Sequence, residues 1–373
     1  MEGGKKRRRK RKNQSEYQQH RHSCSSNQHD RIHAQLGTVT NRIGRPTIAC
    51  VVDCKPTHIC LPSSVLFAER DTNADVLTTW IYPELSDELR VVVERKCAFL
   101  GGQEAPTEET TLYGVYGSTW YYIYGTPVAE GNGIPDAEAY AVVVLADAFS
   151  PEKYLHMARV FAAQYAVQGS GVDVLTAFMG AAMQGECSSP DGEDTFAVST
   201  YSDVRHTYLK TAIKPLINKF GIESILIYIA VLLKKRIVVV SSDATVLQDV
   251  VRTLPQFAYK RQDWTIIHPN VDTANDEVAD LVASGSSYIA GFTDNSVAIR
   301  EDLYDLLVDA NGGAVSYASH AQGSFGMGKI HKEIAMYMVE AAQDETVTQR
   351  EVLKALMVGE NTERLAQTRS PTL

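Results

Sequence analysis

The longest apolar run of the chain lies near its middle. Across 225–233 every position is apolar apart from the hydroxyl of Tyr228. A helix that is apolar on all sides packs inside protein rather than lying on its surface. Lys234, Lys235 and Arg236 interrupt the run, and Ile237, Val238, Val239 and Val240, all β-branched, resume it as a buried strand. A buried helix feeding a buried strand predicts an α/β layer whose sheet is covered on both faces. A membrane span would need about 18–20 uninterrupted apolar residues, and three charges fall inside this run. Downstream, Asp243 caps a predicted helix with Val246, Leu247, Val250, Val251 and Leu254 on one stripe, closed by Pro255. Residues 264–268 and 287–292 read as strands, so the succession predicts a parallel βαβ unit. Residues 300–309 read as helical, and 327–358 as one or two further helices.

Upstream the pattern changes to short alternating segments. Strands are predicted at 65–68 and 76–82, a helix at 85–100, a hairpin of 111–116 with 119–124 around Gly117-Ser118, and a buried strand at 140–145. Ser150-Pro151 opens a helix that runs to about Val167 and stops at Gly169. The order β-β-α-β-β-β-α describes a small α+β lobe. The polar loop 186–195 is the best boundary, and 203–219 reads as helix with a break or restart at Pro215. The fold class expected is therefore α/β, an α+β lobe followed by a lobe with a mostly parallel sheet and a helical C-terminal part.

Charge divides the chain more sharply than composition does. The net charge of the 373 residues is −9, yet residues 1–45 carry twelve Lys and Arg against three acids, a net of +9, which leaves −18 for the rest. That segment is poor in large apolar residues and is expected to be disordered. Its basic block at 5–12 has three readings: nuclear targeting or nucleic-acid contact, attraction to an anionic leaflet at about 1 kcal/mol per basic residue, or a solvated extension. For the folded part no nucleic acid is expected. The six cysteines include no CxxC pair, and the cationic start has no apolar core, so reduced cytosolic thiols are the default. His20, His22, Cys24, His29 and His33 match no common zinc spacing, and Cys50, Cys54 and Cys60 lack a fourth ligand. No metal, cofactor or catalytic residue is expected.

Residues 323–330 (GSFGMGKI) fit G-x-x-x-x-G-K, but Ile330 stands where a hydroxyl should bind Mg²⁺. They read instead as a glycine-rich lead-in to the last helices. Nucleophile-elbow, metalloprotease and dinucleotide motifs are absent. Carboxylate pairs such as Glu277 with Asp280, or Glu301 with Asp302, are ordinary on an acidic surface. Arg261-Gln262-Asp263-Trp264 has two readings: a strand-end ion pair with the indole in the core, or a recognition edge built on Arg and Trp anchors.

The succession LLKKRIVVVSSDATVLQDVVRTLP, KRQDWTIIHP and SYIAGF resembles the central module of DENN domains. RDTN followed by VL, then ERKCAFL, FSPEKY, DLYD and MGK-x-HKE, resembles the flanking parts of the same family. The resemblance implies a longin-like lobe at 59–185, a central α/β lobe at 196–320 and a helical part at 321–373, while the disordered basic extension expected at 1–58 has no counterpart in the family. The chain ends soon after Met357, where the family continues with more helix, so that last part is expected to be shortened. It also implies a guanine-nucleotide exchange factor for a Rab-type small GTPase, cytoplasmic and peripheral on late endosomes or vesicles. The GTPase-binding residues implied are Asp71, Asn73, Lys234, Lys235, Arg236, Arg261, Asp263 and Trp264. Two alternatives stand beside this: a non-catalytic subunit or adaptor of an endosomal recycling complex with coiled-coil partners, and GTPase activation by an arginine finger at Arg205 or Arg300.

Overall fold

A computed structural model describes residues 62–356 with gaps at 102–103, 130, 135, 204–206, 208–212, 259–262, 286, 350 and 353–355, together with the backbone of 39–40 and 46–47. Contacts divide the chain into two units, Met1–His58 and Ile59–Leu373. In the first, β1 (Val39–Thr40) pairs antiparallel with β2 (Pro46–Thr47). The basic block 5–12, the histidine cluster, Cys50, Cys54, Cys60 and the end of the chain after 356 lie outside the described residues.

The second unit is mixed α/β and is built on two five-stranded sheets. The first follows the predicted order. It comprises β3 (Ser64–Asp71), β4 (Val76–Tyr82), α1 (Asp87–Lys96), β5 (Thr110–Tyr116), β6 (Thr119–Pro127), β7 (Ala137–Ala146) and α2 (Pro151–Gln168). The strands lie in the order β4-β3-β7-β6-β5, antiparallel throughout. Successive strand residues point to opposite faces. Leu66, Ala68, Tyr121, Val143 and Leu145 therefore pack with Val93 of α1 and with Cys97, which follows it, on one side. Val65, Phe67, Tyr122, Val142 and Val144 pack with Tyr154, Met157 and Phe161 of α2 on the other. Left-handed Gly169 ends α2, and Ser170 caps a further helix, α3 (Gly171–Gln184), where the sequence reading placed no element. The supposed loop 186–195 is largely a hairpin of β8 (Glu186–Ser188) with β9 (Thr195–Ala197).

The second sheet carries the run that dominates the sequence. α4 (Ile213–Phe220) holds Pro215 within the first turn of its described part, and α5 (Ser224–Leu232) feeds β10 (Ile237–Val240). Then come α6 (Ala244–Thr253), β11 (Ile267–His268), α7 (Asn275–Ser284), β12 (Ile289–Phe292), β13 (Leu306–Asp309), β14 (Ala314–Tyr317) and α8 (Lys329–Gln343). The order is β11-β12-β10-β13-β14. β10 is central and parallel to both neighbours, which explains why all four of its residues are buried on both faces. Only β14 runs antiparallel, at the edge. Residues 300–309 are thus not a helix: 306–309 form β13 between β10 and β14. LLVD is four residues long and lacks the length over which strand and helix periodicities separate.

The run Ile213–Leu232 has the length and hydropathy of a membrane span. It is interrupted by a tight turn at Gly221–Glu223 with Gly221 at φ 55°, and every residue from Ser224 to Val231 is buried. Its apolarity is accounted for by packing on β13, β14 and α8.

Gly291 of β12 is where two backbones and α6 meet. A Cβ there would lie 2.6 Å from the Pro269 carbonyl and 3.0 Å from Leu247 and Val251. Gly291→Ala is expected to lower the unfolding free energy by about 1–3 kcal/mol, measured by urea denaturation.

Candidate partner-docking surface

The two sheets share no strand, so side chains must join them. α6 packs on β10 and β12 with one side and meets β5 with another. From it Gln248 accepts the Tyr113 N–H at 2.7 Å and donates to the Thr111 carbonyl at 3.2 Å. Arg252 of the same helix is buried; it pairs with Glu152 at the start of α2 at 2.7 Å and donates to the Thr207 carbonyl. Burial alone would depress the Arg252 guanidinium, but the Glu152 hydrogen bond and neighbouring charges outweigh it, and its pKa is raised. The indole of Trp264 donates to the Arg252 carbonyl at 3.1 Å. Across the other side of the first sheet, Lys96 of α1 pairs with Glu277 of α7 at 2.7 Å, both nearly buried. Arg95 pairs with Asp276 at 3.0 Å. The Tyr121 phenol reaches the Asn270 carbonyl at 3.1 Å, passing Gly114, where a Cβ would lie 2.1 Å from its oxygen.

On this frame the sequence-predicted residues fall into separate places. Lys234, Lys235 and Arg236 form the turn before β10, and Asp263 and Trp264 precede β11, so both groups sit at the N-terminal margin of the parallel strands. Lys234 is exposed in a left-handed conformation (φ 53°), and Lys235 is half-buried. Arg236 is bound internally. Its backbone N–H and guanidinium both engage Asp305 (2.9 and 3.4 Å), and Nη1 donates to the Asp302 carbonyl at 2.6 Å. Asp263 accepts from the Thr265 N–H and hydroxyl, a local turn, and Trp264 is buried. Asp71 lies at the β3–β4 turn, where it accepts from the backbone of Asn73 and Asp75 and from the Asn73 amide. The Asp75 N–H, foremost among the contacts favouring the charged form, holds its carboxyl below the usual range. Among the described residues no contact joins Asp71 or Asn73 to the other candidates, and Arg261 and Arg205 lie outside them.

Sequence reasoning missed the partners at this margin. Asp305 and His320 close on Arg236 (His320 to Asp305, 3.1 Å), and Glu301 accepts from the Ser319 N–H. Arg300, a candidate finger, is held by Asp302 through two hydrogen bonds of 2.9 and 2.8 Å. Beside it Ile299 is 85% exposed. DLYD, Asp302 to Asp305, would have pointed there had 300–309 been read as a loop and strand. The margin thus presents an exposed aliphatic side chain, two lysines and a ring of paired charges.

Exposed side chains mounted on an internally paired frame suit protein contact. Among the described residues no cluster of His, Cys, Asp and Glu has the makings of a metal site. His268, in β11, is driven down to about 4 by burial and is neutral. The G-x-x-x-x-G-K stretch is indeed a lead-in to a helix: Phe325 is buried against Tyr317, and the Gly328 N–H donates to Nδ1 of His331 at the start of α8.

Comparison with known proteins agrees with this frame. A family model described as SPA, Stabilization of polarity axis, matches residues 210–319. DENN domain-containing protein 10 of Danio rerio is 36% identical over 291 residues, 78% of this chain and 82% of that protein. The protein of the same name from Dictyostelium discoideum is 35% identical over 315 residues, covering 80% and 84%, and that from Homo sapiens 34% over 286 residues, covering 77% and 79%.

Two outcomes are expected of this geometry. Glu152→Ala leaves the Arg252 charge buried and lowers the unfolding free energy by about 3 kcal/mol, whereas Glu152→Met with Arg252→Met recovers most of it, in denaturant titrations. Asp305 is held below its ordinary 3.8; burial opposes this, and the Arg236 N–H, Arg236 guanidinium and His320 bonds outweigh it. Its contribution to stability is complete above 3.8 and is lost as pH falls through the lower folded value. Asp305→Asn should therefore lower stability at neutral pH and flatten its acid limb, measured by urea unfolding at a series of pH values.

Proposed function

The chain belongs to the DENN domain-containing protein 10 family, and from that premise we propose that it regulates a Rab-type small GTPase, as its guanine-nucleotide exchange factor in late-endosome or vesicle trafficking. It acts in the cytoplasm as a peripheral protein. The observation that carries the reading is the rigid seam, where buried Arg252–Glu152 and Lys96–Glu277 pairs lock two sheets together. An exchange factor makes no covalent bond. It binds the nucleotide-free GTPase better than the loaded one, and only that difference shifts the equilibrium. The energy comes from holding switch loops away from nucleotide and Mg²⁺, which a yielding platform would dissipate. Lys234, Lys235 and Ile299 are the partner-facing groups of this reading, while Arg236, Asp263 and Trp264 position the margin that carries them.

The alternative, a non-catalytic adaptor of an endosomal recycling complex, draws support from a second exposed apolar face, on α3, that is remote in sequence from these residues.

Release of labelled GDP from a panel of purified Rab proteins tests the first reading. Acceleration of tenfold or more is expected with at least one member, for the full chain and for residues 59–373. Lys234→Glu with Ile299→Asp should remove most of it without shifting the unfolding midpoint. No acceleration across the whole panel would leave the adaptor role.

A further inference from the structure

The helical side of the antiparallel sheet carries a groove that none of the contacts at the seam uses. It lies between the C-terminal half of α2, the outer side of α3 and β8, and its volume is about 610 Å³. Val167, Met179, Met183, Ala177, Gly180 and Cys187 contribute to its apolar lining. α3 has already buried one face through Val174, Ala177, Phe178 and Ala181. Its outer positions Val172, Thr176, Met179 and Met183 recur at helical spacing and form a second stripe, with Val172 69% and Met183 81% exposed. A helix apolar on two sides is built for more than one packing partner. Methionine suits such a face, because its unbranched chain adapts to whatever covers it.

The groove is also pre-formed. Gln164 donates to the Ser188 carbonyl at 2.6 Å, which pins β8 onto α2. The hairpin is tied again at Asp194, which takes Nε of Arg159 at 2.8 Å and Nε2 of His156 at 2.7 Å. Gly180 sits so near β8 that a Cβ would lie 3.2 Å from the Glu186 carbonyl. Burial raises the Cys187 thiol to about 12, so the floor carries no charge at neutral pH. Little ordering cost then remains for a ligand that fits.

We propose that this groove seats one amphipathic α-helix of a partner protein, apolar along one side and flanked by Lys or Arg. Length and charge select that occupant. The α3 lining runs from Asp173 to Gln184, about three turns at 1.5 Å per residue. The acidic residues Asp173 and Glu186 stand on the rim, and no Lys or Arg is among the described lining residues. The same charge disfavours an anionic membrane, which binds through basic residues. Seating a helix by apolar anchors at i, i+3 or i+4, and i+7 is an established mode of recognition. The inference rests on α2, α3 and β8 alone and does not require exchange activity.

The test uses the full chain with ¹³C-methyl methionine and three synthetic helical peptides of about four turns. One has leucines on one side and lysines on the flanks, the second has glutamates for the lysines, and the third keeps the lysines but has serines for the leucines. The first peptide should move the Met179 and Met183 methyl signals and bind at least tenfold more tightly than either other peptide. Met179→Gln with Met183→Gln should weaken it at least tenfold by fluorescence anisotropy, with the unfolding midpoint kept. Equal binding of the three peptides, shifts elsewhere than at Met179 and Met183, or undiminished binding by the double variant overturns the proposal. So does self-association of the chain that the double variant abolishes, which would give the groove to a second copy. GDP release by that variant is read separately, so failure of the exchange reading does not touch this one.

Discussion

A positive charge with almost no solvent holds the two sheets of this protein together. Arg252 is 5% exposed, and its partners come from the start of α2 and from Thr207. Such an arrangement is weak evidence for stability, since an apolar pair of the same shape can do as well or better. What it supplies is register. A guanidinium placed here accepts one position of α2 relative to α6, because any other leaves a buried charge unpaired. The Lys96–Glu277 pair does the same across the opposite face of the antiparallel sheet. Two sheets that share no strand are thereby fixed in relation to one another at two points.

This seam explains why the recognisable words of the sequence are where they are. RTLP supplies Arg252 and FSPEKY supplies Glu152, so two words about a hundred residues apart meet in one ion pair. The Trp264 of RQDWTI donates to the Arg252 carbonyl. ERKCAFL supplies Arg95 and Lys96 to the acids of α7, and its Leu100 carbonyl accepts from Arg70 of RDTN at 2.8 Å. The Gly291 of YIAGF clears room for Pro269 and α6. In DLYD, Asp305 holds Arg236 while the Tyr304 hydroxyl donates to Ala298. Most of these words are joints of the fold, whereas Thr72 and Asn73 of RDTN and nearly all of MGK-x-HKE face outward.

The fold was legible for the same reason that the candidate site was only partly so. Periodicity marks burial, and it placed the strands of the antiparallel sheet, the core helix at 225–233 and β10 without help. It missed α3 because Gly-Val-Asp-Val-Leu-Thr-Ala-Phe-Met has apolar residues on both sides and no polar face to reveal a period. It missed β13 because four residues between a polar loop and a tight turn carry no period of either kind. Reading Arg, Asp and Trp as recognition groups was a judgement about residue type. Arg236, Asp263 and Trp264 have contacts that are largely internal, and no linear pattern distinguishes a cation aimed at Asp305 from one aimed at solvent.

Where the exposed groups lie then follows from the joints. The charged side chains that fix the seam are consumed there, so the N-terminal margin of the parallel strands keeps Lys234 and Ile299 turned outward. Lys234 does so from a left-handed backbone conformation that a side-chain-bearing residue adopts at a cost. That geometry swings the chain from the end of α5 into β10 while the Lys235 N–H still reaches the Ala230 carbonyl at 2.9 Å. The lysine is therefore displayed by the same turn that converts the buried helix into the central strand. The turn itself is closed from one side by the start of β13, through Arg236, and from the other by the core.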